Sequence, residues 1–267
     1  MRIDALDRAQ LAAAQRVLAA GCAFDRAAIV ADEKLFGDGP SGPPRAFGAW
    51  DERGNLVGVA SVAANRIRVL AVHPDARRHG IGSALLAACE AAARAAGVTK
   101  LRSLDQPGNY LAPGIDVRDN PRVSAARAAE LAARAAAAGY ELRRARPDER
   151  ELTAAVAAEL GGAWPFELER ALGHDPPGVH VARRDGAYCA FAAHDGNNRG
   201  LGWFGPTATW PAHRGRGLGE ALLLACLVDV AAAHARCEVA WIGPRPFYEK
   251  VAGIAAERRF VVLERAL

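Results

Sequence analysis

The sequence predicts an α/β fold: two tandem domains, each a mixed, mostly antiparallel sheet flanked by helices. Three observations predict it. The 267 residues suffice for two ordinary domains. Runs rich in β-branched and aromatic residues alternate with Ala/Leu-rich runs, the pattern of sheets that carry helices on their faces. One strand–turn–helix pattern occurs twice: VLAVHPDARRHGIGSALLA at 69–87 and TATWPAHRGRGLGEALLLA at 207–225. Setting Pro74 on Pro211 also sets Arg77 on Arg214, Gly80 on Gly217, Gly82 on Gly219 and Leu85 on Leu222. A five-part match of this kind marks a duplicated domain.

The elements follow in order. Helix-forming residues cover 5–20 and end at Gly21, and a second, short helix covers 25–36. GDGPSGPP at 37–44 is a loop. Strands at 45–50 and 56–63 flank DERGN, where Gly54 and Asn55 suit a hairpin turn. A strand at 66–72 feeds the first glycine turn, whose helix runs to about residue 96 and is capped by Gly97. A strand at 98–104, a Pro/Gly-rich loop at 105–120, an alanine-rich helix at 121–138 and a strand at 140–146 complete the first half.

The charged break PDER at 147–150 sets the expected domains at 1–146 and 147–267. In the second half, helices are expected at 148–160 and 164–172, and strands at 179–183 and 187–193 around Arg184-Asp185-Gly186. The strand 201–210 enters the second turn. A helix from Glu220 to about residue 235, a strand at 238–242, a short helix at 246–251 and a closing strand at 258–264 follow.

Both turns lie at helix N-termini. The first backbone N–H groups of a helix have no partner within it, and the helix dipole is positive there. Glycine removes the Cβ, so an anion can approach the backbone. With Arg214 and Arg216 adding charge, the turn suits a phosphate or pyrophosphate. The P-loop pattern G-x-x-x-x-G-K-[ST] is absent, and neither turn forms the dinucleotide pattern G-x-G-x-x-G.

These residues resemble the acetyl-CoA-binding motif of the GNAT superfamily of N-acetyltransferases, Q/R-x-x-G-x-G/A after a strand. The resemblance implies that turn amides hold the pyrophosphate of coenzyme A, and that the preceding strand pairs with the pantetheine arm and presents an amide to the thioester carbonyl. By position it implicates Arg77, Arg78, His79, Gly80, Ile81, Gly82 and Ser83 with Val72 in the first copy. In the second it implicates Arg214, Gly215, Arg216, Gly217, Leu218, Gly219 and Glu220 with Thr209. FYEKVAG at 247–253 resembles the family's F-Y-x-k-x-G segment, with one extra residue before the glycine. The resemblance therefore gives Tyr248 the role of proton donor to the departing thiolate; packing at a helix start is the plainer role. Matching Gly139 to Gly253 puts Arg134 at the tyrosine position of the first half, with Tyr110 nearby in sequence as a substitute.

An amine acceptor must lose a proton, so a base is needed. Glu167, Glu169, His174, Asp175, His194 and Asp195 precede the second central strand, and Glu167 is the candidate carried forward. Trp164, Trp203 and Trp241 either line an acceptor cleft or fill the core.

The expected function is acetyl-CoA-dependent N-acyl transfer to a small-molecule or peptide amine, with the chemistry in the C-terminal half. The alternative is a coenzyme A-binding sensor or partner module without turnover. Five scattered cysteines without C-x-x-C point to neither a metal site nor a disulfide framework. A net charge of +4, with no basic stripe interleaved with aromatics, argues against nucleic acid. Neither a signal peptide nor a long apolar span is read, so a cytoplasmic monomer or homodimer is expected.

Overall fold

The computed structural model describes residues 1–103, 124–258 and 264–266. The chain forms two compact units, Met1–Leu111 with Arg259–Leu267, and Ala112–Arg258.

In the first unit, β1 (Arg2–Ala5) precedes α1 (Leu11–Gly21) and α2 (Ala31–Leu35). β2 (Arg45–Trp50), β3 (Leu56–Ala63) and β4 (Arg66–Val72) form an antiparallel meander, with β1 alongside β2. α3 (Ile81–Ala95) crosses over to β5 (Lys100–Ser103), which lies parallel to β4. Val17, Leu18 and Leu35 pack on Val59 and Val69 in one core cluster. Leu85 and Cys89 of α3 pack with Ala60, Ile67 and Leu101 in another. β1 escapes the sequence reading because it is four residues long with only Ile3 partly buried, too short to show a period.

The second unit opens with α4 (Ala125–Ala137) and β6 (Glu141–Arg144). α5 (Arg150–Glu159) and α6 (Trp164–Leu172) follow, then β7 (Val179–Arg184), β8 (Ala187–His194) and β9 (Trp203–Thr209). α7 (Leu218–Ala233), β10 (Glu238–Val239) and α8 (Arg245–Val251) complete it. The sheet order is β10-β9-β8-β7-β6. Leu152, Val156 and Leu168 of α5 and α6 pack with Phe191 in one cluster. The other joins α4, α7 and Tyr248.

The last strand, β11 (Glu264–Ala266), belongs to the first sheet, antiparallel to β5. Lys100 and Arg102 both donate to Glu264, each at 3.1 Å, and Arg265 reaches the buried Glu90 at 2.8 Å. So the expected break at 147–150 does not separate the units. β6 was expected to close the first half, but it is the edge strand beside β7. The closing strand expected for the second half lies, where described, in the first. The cause of the α4 assignment is α7. Its sequence, LGEALLLACLVDVAAA, is apolar all round, and a sheet covers only one side of a helix. α4 packs on α7 and contributes Leu131 and Ala135 to its cluster.

That placement corrects one inference. Gly139 follows a helix of the second unit, so Arg134 does not stand where a first-unit tyrosine would. Tyr110 and the loop 105–120 lie outside the described residues.

Candidate active site

Each turn is built the same way. Pro74 and Pro211 start a single 3-10 turn that breaks the strand. Arg77 and Arg214 then return to extended backbone, with φ −69° and −66°. The Nε of each donates back to the last carbonyl of its strand, Arg77 to Val72 at 3.2 Å and Arg214 to Thr209 at 3.1 Å. These two arginines thus lock the turn to the strand. Arg78 and Gly215 sit in the left-handed region at φ +68° and +74°. Gly80 and Gly217 follow at +77° and +79° as the helix N-caps. No side chain caps either helix. A Cβ on Gly80, Gly215 or Gly217 would meet nothing within 4 Å. The turn is therefore open beside these glycines and its first helical amides are uncapped by side chains, which fits an anion bound by backbone donors.

Arg77, Arg78, Arg214 and Arg216 are all exposed, with no ion-pair partner among the described residues, so all four keep their charge at the turns. His79 is exposed on the first turn, its Nδ1 3.4 Å from the Ala76 carbonyl. His213 is bonded instead to the buried Tyr140, hydroxyl to Nδ1 at 3.1 Å. In the first unit the turn opens on a cleft of about 570 Å³, lined by Val72, Arg77, Arg78, Gly80, Gly82 and Ser83 among others. Ile81 and Leu218, the first residues of their helices, turn inward and are buried.

The strands beside the second turn splay. In the first unit β4 and β5 pair at Arg66/Arg102 and Ile67/Ser103, where the described part of β5 ends. β9 and β10 pair only at Trp203/Glu238 and Phe204/Val239. Beyond the β9–β10 pairs, the free edge of β9 runs up to Thr209. A bulge marks the point of divergence in the second unit, where Gly205 and Pro206 are skipped in the β8–β9 register; Arg68 is skipped likewise in the β3–β4 register. The strand expected at 238–242 is shorter in the structure, Glu238–Val239, because its partner diverges; that expected at 98–104 begins at Lys100, and residue 104 lies outside the described residues.

The second unit adds α8. Tyr248 is 6% exposed and packs edge-to-face on Phe204 and Phe247. Burial, with Cys237 nearby, pushes its phenol up to about 12. Phe247 lies beside the turn: a Cβ on Gly219 would come 3.7 Å from its ring and 3.6 Å from Thr209 Oγ1. Strand end, turn and tyrosine helix thus meet at Gly219. Gly82 has only Val72 within 4 Å.

Glu167 is not brought to this place. It is 3% exposed on α6, which packs in the other core cluster with Leu168 and Phe191. Trp164 stacks edge-on against Phe191, which stacks on Trp210, while Trp203 is buried. Trp241 is 59% exposed, with a left-handed φ of +48°. His194 and Asp195 bond one another at 3.0 Å, and His174 reaches the Asp195 carbonyl. Among the described residues no group of side chains suits a metal ion, and no helix is long and apolar enough to cross a membrane. Cys89 and Cys226, on the helices after the turns, are buried thiols.

A repeated mixed sheet with an uncapped glycine turn after its central strand, split beside that strand in the second unit, defines a protein of acyl-coenzyme A transferase architecture. The chain belongs to the Acetyltransferase (GNAT) family, whose sequence profile matches residues 19–112 and 140–254. Members are in general N-acetyltransferases that bind acetyl-CoA. No curated protein matches the chain in sequence. Several solved structures match its fold. A tandem GNAT protein from the clavulanic acid biosynthesis pathway is 20% identical, with a TM-score of 0.66 over 99% of this chain and 98% of that one. A GCN5-related N-acetyltransferase from Sphaerobacter thermophilus is 18% identical, with a TM-score of 0.64 over 99% and 95%. The glucosamine N-acetyltransferase region of a fungal multi-domain GH3 β-N-acetylglucosaminidase is 16% identical, with a TM-score of 0.69 over 94% of this chain. The chain spans 36% of that enzyme.

Proposed function

We propose that the protein transfers an acetyl group from acetyl-CoA to a primary amine, and that the chemistry takes place in the second unit. The meeting of Thr209, Gly219, Phe247 and Tyr248 carries this reading. Acetyl-CoA supplies an activated acetyl group. The amides from Gly217 to Glu220 hold its pyrophosphate, and the free edge of β9 up to Thr209 aligns the arm and donates to the carbonyl oxygen. The amine nitrogen bonds to the carbonyl carbon and the carbon–sulfur bond breaks, its electron pair leaving on sulfur; solvent water takes the proton that the amine loses and returns one to the phenolate after the sulfur has been protonated. Tyr248 gives its phenolic proton to the sulfur, and a phenol pushed up to about 12 stays protonated throughout the neutral range. Glu167 takes no part in this scheme, since α6 packs in the cluster of Leu168 and Phe191 and not in that of Tyr248. The first-unit turn, Arg77 to Ser83 with Val72, binds a second coenzyme.

Thiol release from acetyl-CoA, measured across a panel of polyamines, amino sugars and peptide N-termini, tests the reading. The expected result is turnover with at least one amine, abolished by Gly219→Glu. Binding of acetyl-CoA without turnover on any amine would favour the sensor module instead.

A further inference from the structure

We propose that Arg127 is a positioning residue that fastens the tyrosine helix to the coenzyme turn. The inference rests on the reading of Tyr248 given above. Arg127 lies in the first turn of α4, whose N-cap Ser124 accepts from the Arg127 amide at 3.2 Å. Its guanidinium spans two elements. Nη2 donates to Glu220 Oε1 at 2.8 Å, in the first turn of α7. Nη1 donates to the Val251 carbonyl at 3.0 Å, at the end of α8.

Both contacts fall where they matter. α8 has seven residues, too few to hold a helix by its own hydrogen bonds. Its last carbonyls have no partner within the helix, and a cation is favoured at that end. Arg127 therefore caps α8 one turn beyond Tyr248. The other part of α8 is held by Phe247 against Gly219. Two attachments to the first turn of α7 fix both the tilt and the rotation of α8, and hence the direction of the phenol. A planar fork makes two such bonds at once, and a lysine ammonium does not hold them in that geometry. The second contact has a separate effect. Glu220 stands next to Gly219 in a turn built for an anion, and Arg127 neutralises its carboxylate.

The test compares the full-length protein with Arg127→Lys, Arg127→Met and Tyr248→Phe. Hydrogen–deuterium exchange reads α8, calorimetry reads acetyl-CoA affinity, and thiol release with the amine panel reads turnover. Both Arg127 variants should speed exchange of the amides of residues 248–253 by about tenfold while central α7 keeps its protection. Arg127→Lys keeps a charge facing Glu220, so its acetyl-CoA affinity should stay within about twofold while kcat falls about tenfold; Arg127→Met should lose affinity as well. In a Tyr248→Phe background, Arg127→Lys should cost little further turnover. Unchanged α8 exchange in both variants would overturn the proposal, as would a full additional loss in the double variant. If Arg127→Met does not fold, Arg127→Lys alone decides the matter. If the Arg127 variants loosen α8 but Tyr248→Phe turns over normally, the attachment stands and the acid assignment falls.

Discussion

Gly217→Ala is the most informative small change in the coenzyme turn. Gly217 caps α7 at φ +79° and ψ 1°, and a Cβ there meets nothing within 4 Å. The added methyl therefore clashes with no neighbour, and its cost is the left-handed backbone alone, about 1–2 kcal/mol. An unliganded turn escapes that cost by relaxing, which swings the first amides of α7 away from their common direction. Binding must then restore the strained geometry, so acetyl-CoA affinity in the second unit should fall by about 5- to 30-fold. The control is Gly186→Ala, at φ +81° in the β7–β8 hairpin, equally open and outside the site. It should lower Tm by a few degrees and leave affinity unchanged. Calorimetric titration reads both variants. If Gly217→Ala binds acetyl-CoA within twofold of the parent, the turn is not held in its left-handed form for the coenzyme, and the reasoning fails.

Three other outcomes are expected. Tyr248→Phe should lower kcat by about 10²- to 10⁴-fold with little change in acetyl-CoA affinity, because the hydroxyl acts only as the sulfur departs. Glu149 should govern part of the acid stability. Burial alone would raise its carboxyl, but bonds from the Arg143 guanidinium, the Arg146 amide and the Tyr188 hydroxyl outweigh that and hold it at about 2. A depressed folded-state value stabilises the protein above the unfolded value near 4.5, and that contribution is lost as pH falls towards 2. Glu149→Gln should therefore flatten Tm against pH in that window. Removing residues 264–267 should expose the edge of β5, take the Glu264 carboxylate from Lys100 and Arg102 and take the Arg265 guanidinium from Glu90, destabilising the first unit. The acetyl-CoA affinity of the Tyr248 site should remain.

Much of this was legible in the sequence because local chemistry decided it. The hairpin strands 45–50 and 56–63, the strand 66–72 and the helix 164–172 are placed as residue type and turn chemistry dictate. The turns follow from proline, arginine and glycine spacing, down to the left-handed glycines. What failed was long-range. α4 reads as any alanine-rich helix, and only the second apolar side of α7 shows where it must pack. That signal was present in ALLLACLVDVAAA, against the more polar ACEAAARA of α3. β11 carries no local mark of the sheet it joins. Arg127 reads as one more surface arginine on an alanine-rich helix, because the carbonyl and carboxylate that it joins are distant in sequence. Glu167 was carried forward only for its place before the second central strand, and tertiary packing leaves it buried on α6.

The central claim is that the second unit holds acetyl-CoA in its glycine turn and transfers from it. The direct measurement is calorimetric titration with acetyl-CoA of the parent protein, Gly82→Glu and Gly219→Glu, with thiol release followed in parallel. Each substitution puts a carboxylate into one turn. The account predicts two sites in the parent, one lost in each variant, with turnover lost only in Gly219→Glu. Undiminished binding in Gly219→Glu, or no acetyl-CoA binding in the parent, would contradict it.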